Sequence, residues 1–354
     1  MNPRFTNSLV KSSILVAAVA VALTGCGGSG AGTGGNIATK LAASYTVEIV
    51  QGPSGSSDFG FKKMNPSGVI GGEYFDGTTN IAFTYKDGVR TDATPVTEYC
   101  TISIGSVSDS GTVEGKYSKN GADHPYSTTG AGFHDLTPAG SFVGGSNVGR
   151  DVNGVAYVAV YDSNNVRSSF RESNGVFTPI TIAGATSVGL WAASQSGHVI
   201  AFSQTGNTRE EYLFAPGQTT GNKILEGIPG ISITAINNNG AYVGSQTVGG
   251  LTAPFIVFRN GIFEMQSAVG GPYARFLAIS DGNLAVGFYS TVGGDTFADA
   301  WSNEDGLVFL NPRIVSTPGF TAHLATGIDN KGRICGEGTY NGDQVGFILT
   351  PVNP

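Results

Sequence analysis

The segment Ile236-Asn237-Asn238-Asn239-Gly240-Ala241-Tyr242-Val243-Gly244 contains a glycine that recurs at a fixed spacing along the chain. Glycines stand 43 residues apart at Gly68, Gly111, Gly154, Gly197 and Gly240, the next step reaches Asn283, and Gly332 follows 49 residues later. Asparagine is one of the few residues with a Cβ atom that tolerates the left-handed backbone region, so the shared requirement is a positive φ. Such a residue between two apolar runs is typical of a turn that joins two strands. The spacing predicts seven repeat units between about residue 41 and the C terminus.

Three further positions recur together with this glycine. An apolar residue stands four places before it at Met64, Val107, Ala193, Ile236, Ile279 and Ile328, with Arg150 as the exception. A small residue stands four places after it at Gly72, Gly115, Ala201, Gly244, Gly287 and Gly336, with Val158 as the exception. An aromatic residue follows the apolar one after 19 residues at Phe83, Tyr126, Tyr212, Phe255 and Phe347, one residue later at Phe170 and three later at Trp301.

The fifth unit has the pattern of four short strands, at Ile231 to Ile236, Ala241 to Gln246, Ala253 to Arg259 and Ile262 to Gln266. Asn-Gly between alternating apolar runs is the strongest short-range signal for a hairpin, and Asn239-Gly240 and Asn260-Gly261 provide it here. A four-stranded antiparallel meander in every unit is typical of the blades of a β-propeller. No segment outside the N-terminal region has a sustained 3.6-residue period. We therefore predict an all-β, seven-bladed β-propeller that is almost free of helix.

The two ends of the repeat region predict how the propeller closes. The seventh unit stops in its third strand, at Phe347 to Val352, so its fourth strand is missing. The segment Tyr45 to Val50 precedes the first unit and alternates as a strand does. We predict that it pairs as the outermost strand of the last blade, because closure of this kind hides the edges that an open array would expose.

The second and third units can be divided in two ways. Leu136 to Gly144 also fits the template from apolar residue to glycine, and this register would make the two units 29 and 57 residues long. The even division, with Arg150 as the anchor and Phe170 as the aromatic residue, keeps the 43-residue period and is preferred. Both registers leave seven units.

The chain resembles the HAF-repeat family of exported bacterial proteins, whose units read Ile-Asn-x-x-Gly-x-Val-Val-Gly and then His-Ala-Phe. The resemblance is carried by Ile236 to Gly244, Ile328 to Gly336, His124-Pro125-Tyr126, Ala82-Phe83, Pro254-Phe255 and Ala300-Trp301. It covers nearly all of the chain after the N-terminal region. The resemblance implies export and a repeat architecture, and it implies no particular activity.

The first 25 residues predict a lipoprotein signal peptide. Arg4 and Lys11 form its positive flank, and the apolar run from Ile14 to Leu23 is too short to span a bilayer. The run ends in Leu23-Thr24-Gly25-Cys26, which resembles the lipobox of bacterial lipoproteins and implies lipidation of Cys26. The alternative is an ordinary secretory signal with an incidental cysteine. Residues 26–40 then predict a flexible, glycine-rich tether and residues 41–354 the propeller. In Gram-negative lipoproteins a residue such as Gly27 after the cysteine implies the outer membrane, so we expect a cell-envelope protein whose membrane contact is this lipid.

The charge balance argues against nucleic acid as a partner. Removing the signal peptide deletes Arg4 and Lys11 and no acid, which takes the formal net charge from −7 to −9. Only 13% of the residues are charged, whereas binding to phosphate groups needs many Lys and Arg side chains. We expect a monomer that binds no nucleic acid.

Residues with catalytic or metal-binding chemistry are scattered along the chain. The histidines at positions 124, 134, 198 and 323 lack the i, i+2 or i, i+4 spacing of a metal pair. Neither a Gly-x-Ser-x-Gly elbow nor a phosphate-binding glycine loop before a helix is present. Cys100 and Cys335 fall in the second and seventh units with the first unit between them, so we predict no disulfide. The sequence thus predicts no metal, no cofactor and no catalytic residue.

A propeller offers a binding site at the mouth of its central channel. The residues near the innermost strands that depart from the small, apolar pattern are Arg150, Trp191, Tyr273, Arg275 and His323. Aromatic and arginine side chains are enriched in recognition surfaces, so we interpret these five residues as a candidate site at the channel mouth. The alternative is that they pack between blades or cap the channel.

Two functional classes follow from these observations. The first is a non-catalytic, lipid-anchored module that binds a protein or glycan partner at the cell envelope. The second is an envelope enzyme, a glycan hydrolase or lyase with acidic side chains at the channel mouth. Such an enzyme should have several units with long, acidic loops, and only the sixth unit carries extra length, at Gly293 to Asp295 and near Pro312 to Pro318. The binding module is therefore the preferred hypothesis.

Overall fold

The computed structural model describes residues 37–93, 101–129, 132–206, 208–266 and 272–352. Within these ranges the chain is all β, as predicted, and its one helical element is a 3₁₀ turn at Asn311–Arg313. None of the helical structure in the described ranges has the length and apolar character that crossing a bilayer requires. The predicted signal peptide, Cys26 and most of the predicted tether fall in residues 1–36, outside the described residues.

The strands of the described chain are short and are separated by turns rich in glycine and asparagine. In chain order they are β1 (Tyr45–Val50), β2 (Ser57–Met64), β3 (Ile70–Phe75), β4 (Asn80–Lys86), β5 (Val89–Asp92), β6 (Ile102–Val107), β7 (Val113–Lys119), β8 (Ala122–Thr129), β9 (Gly132–Asp135), β10 (Phe142–Arg150), β11 (Ala156–Asp162), β12 (Arg167–Ser173), β13 (Val176–Ile180), β14 (Ser187–Ala193), β15 (Val199–Thr205), β16 (Thr208–Phe214), β17 (Asn222–Ile224), β18 (Ile231–Ile236), β19 (Tyr242–Val248), β20 (Leu251–Val257), β21 (Phe263–Met265), β22 (Tyr273–Ile279), β23 (Ala285–Ser290), β24 (Thr296–Ser302), β25 (Gly306–Phe309), β26 (Phe320–Ile328), β27 (Ile334–Tyr340) and β28 (Asp343–Pro351).

Hydrogen bonding groups the described strands into five four-stranded sheets and one eight-stranded sheet. The four-stranded sheets have the orders β2-β3-β4-β5, β6-β7-β8-β9, β10-β11-β12-β13, β14-β15-β16-β17 and β1-β28-β27-β26. The eight-stranded sheet contains two antiparallel meanders, β18 to β21 and β22 to β25, joined by a single parallel bridge between Thr252 and Tyr273. The predicted four-stranded meander is therefore confirmed, although the strands form six sheets and not seven separate ones. The two meanders merge because β20 begins beside the start of β22, where the amide of Thr252 also donates to the carbonyl of Pro272 at 2.9 Å.

The N-terminal strand pairs with the last strand, as predicted. β1 runs antiparallel to β28 in a register that places Tyr45 opposite Pro351. Residues just before β1 also contact the folded body, because the amide of Ala38 donates to the carbonyl of Asn330 at 2.8 Å and Leu41 is buried. The packed part of the chain thus includes residues 37–40, which the sequence assigned to the tether.

The recurring glycine occupies the left-handed position of a hairpin turn. Its φ is +84° at Gly240, and Asn283 has the equivalent value of +63°, so the predicted need for a positive φ is confirmed. The amide of Gly240 donates to the carbonyl of Asn237 at 3.1 Å, and the side chain of Asn237 accepts the amide of Ala241 at 2.9 Å. The same side-chain contact is made by the first residue of every turn of this type in the described chain: Asn65, Ser108, Asp151, Ser194, Asn237, Ser280 and Asp329.

The third unit follows the even division of the repeat. β10 ends at Arg150, the turn glycine Gly154 has a φ of +83°, and Val158 lies opposite Phe170. Leu136 lies in the connection between β9 and β10 and does not begin a unit. The uneven register is therefore wrong, because the turn that it requires is absent at Gly140 to Gly144, where β10 has already begun at Phe142.

The first strand of each meander carries a β-bulge six residues before the turn glycine. The ladder between first and second strands skips one residue at each of these places: Lys62, Gly105, Val148, Trp191, Thr234, Leu277 and Thr326. A bulge bends and twists its strand locally and redirects the side chain that it adds. Two of these side chains contact the neighbouring first strand, since Thr234 donates to the carbonyl of Phe276 at 2.5 Å and Thr326 to that of Phe61 at 2.6 Å. The bulges therefore bring neighbouring first strands together.

The aromatic residue of the repeat packs on the small residue opposite. A Cβ atom added to Gly72 would lie 2.3 Å from Cζ of Phe83, so only glycine leaves room for this ring. In the sixth unit the residue opposite Gly287 is Asp299 and not the predicted Trp301, which pairs two residues further along at Ala285. The assignment of Trp301 is wrong because it followed the nearest aromatic residue and not the strand register.

Apolar side chains from neighbouring sheets pack against each other. Cys335 and Ile348, from the sheet that contains β1, join Phe61 and Phe83 of the next sheet in one cluster. The thiol of Cys335 is free and fully buried, and burial raises its pKa to about 12. Its predicted role as a small buried apolar residue is confirmed, whereas Cys100 lies outside the described residues.

Candidate functional site

A cavity of about 350 Å³ lies where the first strands of the meanders converge. Residues from β2, β6, β10, β14, β18, β22 and β26 line it, together with Gly115 and Lys116 of β7. Apart from the single bridge that joins β22 to β20, each first strand pairs along one edge only, with its second strand, so its other edge presents backbone N–H and C=O groups. The backbone therefore contributes polar groups to the walls of the cavity, although most of the lining surface is apolar.

The side chains of the lining are amides, hydroxyls, small and large apolar groups, one indole and two amines. Among the described residues the lining contains no Asp, Glu, His or Cys. One of the two lysines, Lys116, is ion-paired with Asp123 at 2.5 Å. The lining therefore offers hydrogen-bond donors and acceptors, and Lys63 is its one cation without a carboxylate partner in the described chain.

Lys63 differs from the lysine next to it. The ammonium of Lys62 lies 2.6 Å from a carboxylate oxygen of Glu337 and 3.5 Å from one of Glu73. Lys63 is half-buried, and within the described residues it has neither an ion pair nor a hydrogen bond to its side chain. Burial lowers the pKa of Lys63, because a charged ammonium loses hydration there.

Trp191 is the one residue of the predicted channel-mouth set that lines the cavity. It is the bulged residue of β14, and its ring contacts Phe202 at 5.2 Å between centroids. The guanidinium of Arg209 lies 4.2 Å from the centre of the indole, a cation–π contact. The indole N–H is buried and has no hydrogen-bond partner within the described chain.

Arg150 lies between two sheets and not in the cavity lining. Its Nε donates to Glu114 at 2.5 Å, and its guanidinium also donates to the carbonyl of Gly154. The side chain of Glu114 is 1% exposed, and burial raises its pKa while the charge of Arg150 offsets part of that rise. Arg150 therefore ties the sheet that contains β7 to the sheet that contains β10.

Arg275 and Tyr273 also contact neighbouring strands and do not line the cavity. Arg275 donates to the hydroxyl of Ser232 at 2.8 Å and to that of Ser245 at 3.2 Å, which joins the two meanders of the eight-stranded sheet. Tyr273 packs on Phe288 with 5.6 Å between the ring centroids. Arg275 follows the alternative interpretation because it packs between adjacent meanders, whereas Tyr273 packs on a ring of its own meander.

His323 makes two contacts and lies outside the cavity lining. Its Nδ1 is 2.8 Å from the carbonyl oxygen of Thr296, and its Nε2 is 3.1 Å from the hydroxyl of Thr339. The structure thus does not bring the five predicted residues together. In the described chain it also contains no group of three or more His, Cys, Asp or Glu side chains that could hold a metal ion.

Sequence reasoning missed Lys63 because the bulge is invisible in the sequence. The residue that follows the bulge is small in every other first strand, at Ser106, Gly149, Ala192, Ala235, Ala278 and Gly327. Aligning the units on that position would have shown one long, charged side chain among glycine, alanine and serine.

No family model and no curated protein matches the sequence. Among solved structures, the β-propeller domain of the Trilobed protease from Pyrococcus furiosus is similar at 8% identity and a TM-score of 0.52, over 77% of this chain and 97% of that one. A streptogramin B lyase is similar at 12% identity and a TM-score of 0.48, over 88% and 100%. TolB from Acinetobacter baumannii has 15% identity and a TM-score of 0.45 over 58% of this chain and 53% of its own, so that match spans about half of TolB. The similarity shows the fold alone, which is a β-propeller.

Proposed function

We propose that this protein is a lipid-anchored β-propeller of the bacterial cell envelope, of the HAF-repeat type, that binds a protein or glycan partner without catalysing a reaction. The observation that carries the proposal is the central cavity, whose lining has hydrogen-bonding groups and a free cation. Within the described chain that lining has no carboxyl, imidazole or thiol group. Hydrolysis or elimination on a glycan uses such groups as acid, base or nucleophile.

Seven blades make up this propeller. The support is that the eight-stranded sheet contains two complete antiparallel meanders, each with its own turn, at Gly240 and at Asn283. A single bridge between them is weak compared with the full ladders inside each meander. The pairing of β1 with β28 supplies the fourth strand of the last blade.

The cellular location rests on the sequence. The segment Leu23-Thr24-Gly25-Cys26 resembles a lipobox, and the glycine-rich residues after it have the composition of a flexible tether. Two or three acyl chains on Cys26 would anchor the protein stably, whereas one chain would bind only marginally. With Gly27 after the cysteine, we place the protein at the outer membrane as a monomer.

Binding and turnover are measured on the same samples. The purified full-length chain is mixed with fragments of envelope glycans, esters and peptides, with equilibrium dialysis to detect binding and product analysis to detect reaction. We expect binding without product, and loss of binding in Ala235→Trp, because the indole would fill the cavity at a lining position. Val292→Trp, on a fully exposed hairpin, is the matched control. Turnover with a defined pH optimum would overturn the proposal in favour of an envelope hydrolase or lyase.

A further inference from the structure

We propose that the central cavity binds a small oxyanion, a carboxylate or a phosphate group, through the ammonium of Lys63. This inference rests on the proposed function, because it names the ligand chemistry of the same cavity. Three features of the structure carry it: the position of Lys63 on its strand, the absence of a partner for its charge in the described chain, and the donors around it.

The position of Lys63 on its strand sets it apart from the equivalent residues of the other first strands. Lys63 follows the bulge of β2, and the equivalent residues of the other first strands are Ser106, Gly149, Ala192, Ala235, Ala278 and Gly327. These residues are small because neighbouring first strands approach closely: a Cβ atom added to Gly327 would lie 2.5 Å from Cβ of Met64. Lys63 is the one long side chain at this position, and it belongs to the lining of the cavity.

The charge of Lys63 is left without a partner by the described chain. Holding an ammonium away from bulk water is unfavourable unless a negative group or several acceptors compensate it. Lys62 shows the compensated case, with carboxylates of Glu337 and Glu73 beside it. The cavity lining contains no carboxylate within the described residues, so a negative group for Lys63 has to come from a ligand.

The surroundings of Lys63 suit an anion with several oxygens. The free edges of the first strands present backbone N–H groups, which donate to ligand oxygens as they would to a neighbouring strand. Ser103 and Ser146, which carry hydroxyl groups, belong to the same lining. A cavity of about 350 Å³ is near the lower end of the range for small-molecule sites, which fits a sugar acid or a phosphate monoester.

The affinity test uses three probes and two neighbouring lysines. Calorimetric titration of the purified full-length chain with galacturonate, inorganic phosphate and neutral galactose is compared with the same titrations of Lys63→Met and Lys62→Met. We expect galacturonate or phosphate to bind and galactose to bind much more weakly. Loss of one charge-assisted hydrogen bond should weaken anion binding by about 10- to 100-fold in Lys63→Met. In Lys62→Met the affinity should stay within about twofold of the wild type, because that ammonium faces Glu337 and not the cavity.

A stability measurement separates binding from folding. In buffer free of the probes, Lys63→Met should raise the unfolding midpoint because it removes an uncompensated cation, whereas Lys62→Met should lower it because it leaves Glu337 and Glu73 unpaired. Millimolar anion should raise the midpoint of the wild type and leave that of Lys63→Met unchanged.

Each outcome has a defined meaning. Binding of galacturonate alone assigns a sugar acid, binding of phosphate alone assigns a phosphate group, and binding of both assigns an oxyanion site in general. Equal binding of galactose, no anion binding by the wild type, or an unchanged anion affinity in Lys63→Met overturns the inference. If a partner still binds and is lost in Ala235→Trp but not in Lys63→Met, the cavity is the site and the anion assignment alone has failed.

Discussion

Replacing Asp299 by asparagine should remove a pH-dependent weakness in the stability of the protein. Asp299 is fully buried on β24, and neither of its carboxyl oxygens has a hydrogen-bond partner in the described chain. It lies opposite Gly287, and the equivalent position in other meanders holds an aromatic ring such as Phe255 or Phe347. Burial raises the pKa of this carboxyl well above its ordinary value, so the folded chain holds it neutral.

The magnitude follows from the difference in protonation between the folded and unfolded chains. In the unfolded chain Asp299 ionises near its ordinary pKa of about 3.9, whereas in the folded chain it keeps its proton to a higher pH. Asp299 therefore does not lower the free energy of unfolding below about pH 4. Above that pH its effect lowers the free energy of unfolding by about 1.4 kcal/mol for each pH unit, up to the pKa that the carboxyl has in the folded chain. Asparagine has nearly the same shape and does not ionise. The free energy of unfolding of Asp299→Asn minus that of the wild type should rise by about 1.4 kcal/mol between pH 4.5 and 5.5.

Urea unfolding at pH 4.5, 5.0 and 5.5, followed by tryptophan fluorescence, measures this difference. Trp301 lies on the same strand as Asp299 and reports on its surroundings. Asp295→Asn is the matched control, because Asp295 is exposed on the turn just before β24, and its curve should run parallel to that of the wild type. If the Asp299→Asn curve is also parallel, the carboxyl of Asp299 is ionised or paired in the folded chain and the reasoning fails.

Two further substitutions test the turn and the pairing of a buried charge. Gly240→Ala should lower the free energy of unfolding by about 1 kcal/mol because its φ of +84° strains alanine. Asn283→Gly relieves a φ of +63° but should not raise the free energy of unfolding, because it removes the acceptor of the hydrogen bond that Asn237 donates at 3.0 Å. Equal stability of Gly240→Ala and wild type in urea would contradict the first of these expectations. Arg150→Met should cost about 3 kcal/mol because it leaves the carboxylate of Glu114 buried without its partner, and Glu114→Gln in the same chain should recover most of that loss. A double-mutant cycle checks the second prediction, and additive losses would count against it.

The sequence predicts the parts of the fold that depend on local backbone geometry. A positive φ admits few residue types, so Gly240 and its replacement Asn283 reveal the turn without any knowledge of the fold. The pairing of Tyr45 to Val50 with the last strand could be predicted because the seventh unit lacks its fourth strand and the segment Tyr45 to Val50 belongs to no unit. Trp301 was misplaced because the position opposite Gly287 holds Asp299, which is not aromatic, and Trp301 is the next aromatic residue along the same strand.

The bulges could not be predicted because no residue type marks them. The added residue is a lysine at position 62, a tryptophan at position 191 and a threonine at position 234, so its identity is set by contacts across first strands and not by backbone preference. Since the bulges direct side chains toward or away from the cavity, the repeat pattern shows which residues depart from it but not which of them line the cavity. This is why Trp191 lines the cavity while Arg275 contacts neighbouring strands.

Departures from the repeat pattern become informative once the contacts of each are known. Arg150 departs from an apolar position, but its charge is matched by Glu114, so the departure is structural. Asp299 departs from an aromatic position and is fully enclosed, so no ligand from solution reaches it and it affects stability alone. Lys63 departs from a small position, lines a cavity and has no partner in the described chain. Of these three side chains, Lys63 is the one whose charge a bound ligand can neutralise, because it is unpaired in the described chain and belongs to the lining of a cavity.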